Sequence, residues 1–125
     1  MERRGQKYHR ERLGEALREE IATILEGELS DPRIGLVNVT HVDLAPDSRS
    51  ARVMIAVDGD DDEAAKSMQG LQAAAGYVRR ELTERLQLRR APELVFVLDR
   101  SEAATARVEE LLTRTKRKPT GQKRA

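Results

Sequence analysis

The chain has 125 residues, which suits one domain with a single hydrophobic core and is too short for two enzyme-sized domains. Charged residues make up 36% of it against an average of about 25%, so the folded surface must be almost continuously ionic. Leu, Ile, Val and Phe account for 28 of the 125 residues, just above the level of about 20% below which highly charged chains stay disordered. We therefore expect a folded chain with a thin core.

Several functions are excluded by what the sequence lacks. It contains no cysteine, which rules out disulfides, thiolate metal sites and a cysteine nucleophile. Three aromatic residues and no tryptophan argue against binding by aromatic stacking. No apolar run approaches the ~20 residues of a membrane span, and the first residues include no apolar stretch that could serve as a signal peptide. A cytoplasmic location is therefore expected.

The net charge of +1 conceals a segregation of charge along the chain. Basic residues outnumber acidic ones in residues 1–12, 79–90 and 114–125, whereas five acids fall within residues 58–63. Three basic blocks favour a polyanion partner, because Lys and Arg contacts to phosphates supply most of the sequence-independent affinity for nucleic acids. Taken singly, each block is also typical of a merely solvated face.

The first predicted element is a helix from about Tyr8 to Glu28, because apolar residues recur along it at three- and four-residue steps. Asp31-Pro32-Arg33 follows, and a residue before proline is pushed away from helical angles. The helix should therefore end within residues 29–31.

A β-hairpin is predicted next. In the strand Leu36–Leu44 the apolar positions change phase by one residue, which indicates a bulge. Residues 45–48 have turn composition, and Ala51–Val57 then alternates cleanly between apolar and other side chains. The hairpin should have one core face.

The second half of the chain predicts two more helical segments, a strand and a last helix. Helical spacing holds from Ala64 to Leu86, but Gly70 and Gly76 lie inside it, and a break near Gly76 is expected. The apolar run Leu94–Leu98 is typical of a strand covered on both faces. Ser101 is the predicted N-cap of the last helix.

The element order α-β-β-α-kink-α-β indicates an α+β fold with helices packed on one face of a three-stranded sheet, followed by a C-terminal helix. Residues 1–113 should form a single domain. Residues 114–125 carry six basic residues and no acid, and we expect them to be a disordered tail.

From about Tyr8 to Leu112 the chain resembles the bacterial ribosome-binding factor A family. The resemblance rests on an ordered set of segments: Asp31-Pro32-Arg33, Ala51–Val57, Ala74–Arg79, Leu88–Phe96, Asp99 and Ser101. It implies a type II KH-like fold in which an Ala-x-Gly kink, here Ala74-Ala75-Gly76, replaces the usual GxxG loop. It also implies binding to the free small (30S) ribosomal subunit, in the neck region near the 5′ part of 16S rRNA, during late maturation and 16S rRNA processing.

A glycine turn between two helices suits contact with a nucleic-acid backbone, because small residues let phosphates approach the amides at a helix start. Gly76 has the right size, and Arg79 and Arg80 follow within one turn, where a guanidinium can grip a phosphate. We expect three further arginines to extend this path: Arg85, Arg89 and Arg90. The alternative is that the small residues only allow close helix packing and that the arginines pair with neighbouring glutamates.

Both basic ends of the chain are further candidates for rRNA contact, since flexible Lys and Arg segments add affinity for phosphates. The candidates are Arg3, Arg4, Lys7 and Arg10 at one end, and Lys116, Arg117 and Lys118 at the other. The alternative for the C-terminal segment is an inert solubility tail.

No catalytic constellation stands out. His9 and His41 lack a partner at helical spacing, and we expect no enzyme, no cofactor and no metal site. The acids of residues 58–63 could attract Mg²⁺, or could favour the start of a helix through its dipole.

The sequence therefore predicts a monomeric, non-enzymatic RNA-binding assembly factor. Its expected partners are 16S rRNA in the free 30S subunit, small-subunit ribosomal proteins and assembly GTPases. Two alternatives stay open: a protein-interaction module without direct RNA contact, and a metal-dependent nuclease that uses the acidic turn.

Overall fold

Four helices and a three-stranded sheet make up residues 3–117, the part of the chain that the computed structural model describes. Side chains are described through residue 114. In chain order the elements are α1 Arg4–Thr23, a π-helical turn Ile24–Glu28, β1 Val37–Leu44, β2 Ser50–Val57, α2 Asp61–Ala73, α3 Ala75–Arg85, β3 Glu93–Leu98 and α4 Glu102–Arg117. The predicted α+β class and element order are confirmed. Over the described part of the chain, none of the helices combines the length and the hydropathy that crossing a bilayer would require.

The first helix begins four residues earlier than its apolar stripe predicts. The side chain of Gln6 accepts a hydrogen bond from the Arg3 amide at 3.1 Å, which satisfies a main-chain donor at the helix start. At the other end the helix widens into the π turn, where the Leu29 amide donates to the carbonyl of Ile24. Glu26 in this turn accepts a hydrogen bond from the amide of Val39 at 2.9 Å, so the turn is tied to β1.

The central strand of the sheet is β2, antiparallel to β1 and parallel to β3. The pairing of β1 with β2 shifts by one residue between Val39 and His41, so the bulge predicted from the change of apolar phase is confirmed. As a result Val37 and Val39 before the bulge, and Val42 after it, all face the same core.

The main core lies between α1, α3 and one face of the sheet. Leu17 and Ile21 of α1, Val53 and Ile55 of β2, and Leu82 of α3 are completely buried in it. Burying each such side chain stabilises the fold by roughly 1.5–3 kcal/mol. Packing of α1 on β1 and of α2 on β3 completes this layer.

The opposite face of the sheet is covered by α4, whose position the sequence left open. Ala104 and Val108 of α4 pack on Ala56 of β2, which points away from the main core. Ser101 caps α4 as predicted, since its hydroxyl oxygen accepts a hydrogen bond from the Ala104 amide at 3.2 Å. The helix extends to Arg117, so residues 114–117, predicted to be disordered, are helical. The rest of the predicted tail lies outside the described residues.

The prediction that β3 is covered on both faces is wrong. Leu94 and Phe96 are buried in the main core, but Val95 between them is 46% exposed. The reason is that α4 packs on β1 and β2 and leaves the outer face of β3 open.

Candidate nucleic-acid interface

The predicted break between the two middle helices is confirmed at Ala74. This residue ends α2 and precedes α3, with φ −87° and ψ −2°, outside regular helical geometry. Its amide donates to the carbonyls of Gly70 and Leu71, at 3.1 and 3.0 Å. We call the segment Ala74–Gly76 the elbow.

Gly70, four residues before the elbow, and Gly76, within it, have opposite surroundings. A Cβ atom built on Gly70 would lie 2.7 Å from Cγ1 of Ile34, so a glycine is needed there for α2 to pack against the segment before β1. A Cβ atom on Gly76 would meet nothing within 4 Å. The close-packing alternative therefore applies to Gly70 and does not explain Gly76.

Arg79 has a structural role that its sequence position does not suggest. Its Nε donates to the carbonyl of Pro92 and its Nη2 to that of Ala91, each at 3.1 Å, so it holds the loop that leads into β3. A guanidinium has five N–H donors, and three of them remain after these bonds. The alternative of a glutamate pair is wrong for Arg79, which bonds main-chain carbonyls instead.

Arg80 is exposed and makes no hydrogen bond or ion pair with any described residue. It follows Gly76 by four residues and Arg79 follows by three, so all three lie on the same side of α3. The elbow therefore presents an open main-chain surface next to two guanidiniums that have donors to spare.

Among the predicted RNA-contact residues, Arg85 has its guanidinium surrounded by carboxylates. Its guanidinium contacts three carboxylates: those of Glu81 at 3.0 Å, Glu20 at 3.7 Å, and Glu28 through two hydrogen bonds. The hydrogen bond from Arg85 lowers the pKa of Glu28, and the same bond raises the pKa of Arg85. Arg85 therefore joins α3 to the end of α1. Because the carboxylates neutralise its charge, it has little attraction left for a phosphate.

Arg89 and Arg90 are both exposed, without a partner in the described part of the chain. Arg90 and Arg79 line one open groove of about 600 Å³ at the end of the sheet where β2 and β3 begin. A third arginine, Arg49, also lines it from the turn between β1 and β2. The sequence does not point to Arg49, because it lies outside the basic blocks and no local pattern links it to α3.

The structure describes the side chains of the predicted basic residues at the start of the chain but not those near its end. Arg3 precedes α1 as its N-cap, Arg4 and Lys7 lie on α1, and all three are exposed. Arg10 is half-buried, and its Nη1 donates to the carbonyl of Leu44 at 3.2 Å, so it helps to hold α1 on β1. At the other end, Lys116 and Arg117 belong to α4 but their side chains lie outside the described residues, as does all of Lys118.

The acidic segment caps a helix. The Asp60 side chain accepts a hydrogen bond from the Glu63 amide at 2.8 Å, and the Glu63 side chain accepts one from the Asp60 amide at 2.9 Å. These reciprocal bonds form a capping box at the start of α2. Asp61 in the first turn pairs with Arg100. The expectation that these acids favour the start of a helix is confirmed.

Comparison with known proteins agrees with this architecture. The family model for ribosome-binding factor A matches residues 9–112. A ribosome-binding factor A from Koribacter versatilis is 57% identical over 118 residues, covering 94% of this chain and 96% of the relative. One from Thermomicrobium roseum is 45% identical over 105 residues, covering 84% and 81%. The chain belongs to the ribosome-binding factor A family.

Two solved structures are similar as well. The crystal structure of ribosome-binding factor A from Thermus thermophilus has a TM-score of 0.66 at 25% identity, covering 74% of this chain and 98% of that one. A Thermus thermophilus homology model fitted into a cryo-EM map of a 30S complex has a TM-score of 0.55 at 28% identity, covering 74% and 93%. Both comparisons agree with the predicted fold.

Proposed function

We propose that this protein is an assembly factor that binds the free small ribosomal subunit through 16S rRNA and assists late maturation and rRNA processing. Family membership supports this, as does the Thermus thermophilus relative that was fitted into a map of its 30S complex. Small-subunit ribosomal proteins and assembly GTPases are the further partners we propose. The protein would act as a monomer in the cytoplasm, by binding and without catalysis.

One observation carries the proposal: the open side of Gly76 shares a helix face with Arg79 and Arg80. A ribose-phosphate strand needs close access to main chain and cations that are not already neutralised. The elbow supplies both. The position that a Cβ atom on Gly76 would take has nothing within 4 Å, and neither arginine is paired with a described carboxylate.

The test is co-sedimentation of the purified protein with free 30S subunits and with whole ribosomes, repeated as salt is raised two- to fourfold. We expect association with free subunits that weakens steeply with salt, because phosphate contacts release counterions. Affinity that does not change with salt would instead support a module that contacts ribosomal proteins and would contradict the rRNA contact.

A matched pair of glycine variants locates the contact. Gly76→Val should weaken subunit binding, whereas Gly27→Val, also at an exposed glycine with open space around its Cβ position, should not. Incubation of the protein with precursor 16S rRNA and Mg²⁺ addresses the remaining alternative. Specific cleavage of the precursor would show a nuclease and overturn the proposal of binding alone.

A further inference from the structure

Three arginines from separate parts of the chain meet in the groove at the start of β2 and β3. Arg49 comes from the hairpin turn, Arg79 from α3, and Arg90 from the loop before β3. None of the three forms an ion pair with a described carboxylate. Glu93 also lines the groove, but it pairs with none of them, so positive charge is in excess there.

The position of Arg49 is fixed by main-chain contacts. Ser48 before it adopts a left-handed conformation with φ 60°, and the Ser48 amide donates to the carbonyl of Ala45 at 2.8 Å. The amide of Arg49 donates to Asp47, and its carbonyl accepts a hydrogen bond from the amide of Glu93 at 2.9 Å. The hairpin turn is thus joined to the start of β3, while the Arg49 side chain makes no hydrogen bond with a described residue.

Arg79 relates the groove to the elbow. This residue lines the groove and lies three residues after Gly76, about 4.5 Å further along the axis of α3. Its two bonds to the loop carbonyls fix the guanidinium, and three N–H donors remain for a ligand. When an RNA strand crosses the elbow, the next phosphates of its backbone would therefore reach the groove.

We propose that this groove binds backbone phosphate of RNA and that Arg49 is a binding residue of the same RNA site as the elbow. The inference rests on the proposed function, which it extends from α3 to the β1–β2 hairpin. Guanidinium groups match the oxygens of a phosphate, and because hydrogen bonds already join the hairpin turn to the start of β3, little main-chain freedom is lost there on binding. The open shape of the groove suits a strand that passes through it.

The experiment compares Arg49→Gln with Arg52→Gln in binding to free 30S subunits at several salt concentrations. Arg52 is a matched control because it is exposed on the same hairpin, has no described partner and does not line the groove. We expect Arg49→Gln to bind about five- to tenfold more weakly. The slope of log affinity against log salt concentration should become shallower by about one, which corresponds to one lost phosphate contact. The control should stay within about twofold of the original protein.

The outcomes separate this inference from the proposed function. If Arg49→Gln binds like the control while Arg80→Glu binds weakly, the groove proposal is overturned and the elbow survives. If the unaltered protein does not sediment with free subunits, the proposed function itself fails. If Arg49→Gln lowers the unfolding free energy as much as the binding free energy, its effect is structural and the proposal is also overturned.

A second measurement uses the absence of cysteine from the chain. Ser48→Cys places a single thiol on the lining of the groove, and an iron chelate attached to it cleaves nearby RNA backbone. We expect localised cleavage of 16S rRNA in the bound subunit, and weaker or displaced cleavage from the same chelate on Arg52→Cys. Identical patterns from both positions, or cleavage confined to ribosomal protein, would contradict the assignment.

Discussion

The two ends of the sheet hold arginines in opposite circumstances. Where β2 and β3 begin, Arg49, Arg79 and Arg90 share a groove and none is paired with a described carboxylate. Near the other end, Arg85 lies against three carboxylates and Arg100 pairs with an aspartate of α2. A count of basic residues would treat all five alike, but only those at the first end have charge left for a phosphate.

The glycines of α2 and α3 show a similar contrast, between a position packed against another segment and a position with free space beside it. Gly70 is buried where α2 presses on Ile34, and Gly76 is exposed with free space beside it. Whether a residue serves the fold or a ligand is therefore decided by what lies opposite it in space. The following variants test that distinction.

The largest effect is expected from charge reversal at the open positions. The double variant Arg80→Glu with Arg90→Glu should bind free subunits about 100-fold more weakly, because each lost phosphate contact costs about tenfold and separated positions add. Its urea unfolding curve should match that of the original protein. The double variant Arg85→Gln with Arg100→Gln is the control, and it should bind within a few-fold of the original. Equal loss of binding in the two doubles would contradict the distinction between open arginines and arginines paired with carboxylates.

The glycine pair should separate stability from binding. Gly70→Val should lower the free energy of unfolding by about 2 kcal/mol, because the added side chain overlaps Ile34 and forces a shift in a packed region. Gly76→Val should change it by less than about 0.5 kcal/mol, since Gly and Val differ little in helix propensity. Urea denaturation followed by circular dichroism measures both. A similar loss of stability at the two positions would make Gly76 a packing residue.

Arg79 both holds the loop before β3 and keeps donors for a ligand, so its replacement should affect stability as well as binding. Arg79→Ala should lower the free energy of unfolding by about 1 kcal/mol, because the carbonyls of Ala91 and Pro92 lose a charged donor. Arg80→Ala is the matched control and should leave stability unchanged. Thermal unfolding of the two variants decides the point, and an unchanged Arg79→Ala would show that the loop before β3 does not depend on this contact.

The smallest effect concerns the pH dependence of the ion pairs around Arg85. Because Arg85 lowers the pKa of Glu28 in the folded state, this pair stabilises the fold above the ordinary glutamate pKa of about 4.3. That stabilisation is lost as the pH falls through the lowered value. Arg85→Gln should therefore reduce the Tm by a few degrees at pH 7 and by less at pH 3. A difference that stays constant or grows on acidification would exclude this origin.

Much of the fold could be predicted because it depends on neighbours in the sequence. The bulge in β1 follows from a one-residue change in apolar phase, and the Ser101 cap follows from a residue type that is common at helix starts. The elbow was predicted within two residues from a run of small side chains. The exposure of β3 was missed, because it depends on which strands α4 covers.

The candidate site was predicted less completely than the fold. Gly76, Arg80 and Arg90 were singled out from the sequence and are open in the structure. The basic block groups Arg85 with them although carboxylates hold its guanidinium, and no sequence pattern points to Arg49. Both differences have one origin, which is that a basic block in the sequence contains no information about the carboxylates and strands brought next to it by folding.

The sequence by itself determined the order of the helices and strands and the approximate place of each, since these depend on residues a few positions apart. Its ordered segments from Asp31 to Ser101 also carried the family resemblance. Only the tertiary structure decided which arginines remain available. Arg85 is neutralised by Glu28, 57 residues away in the chain, and Arg49 joins Arg79 and Arg90 through the pairing of β2 with β3. Ion pairs and hydrogen bonds depend on distance in space, and folding sets that distance.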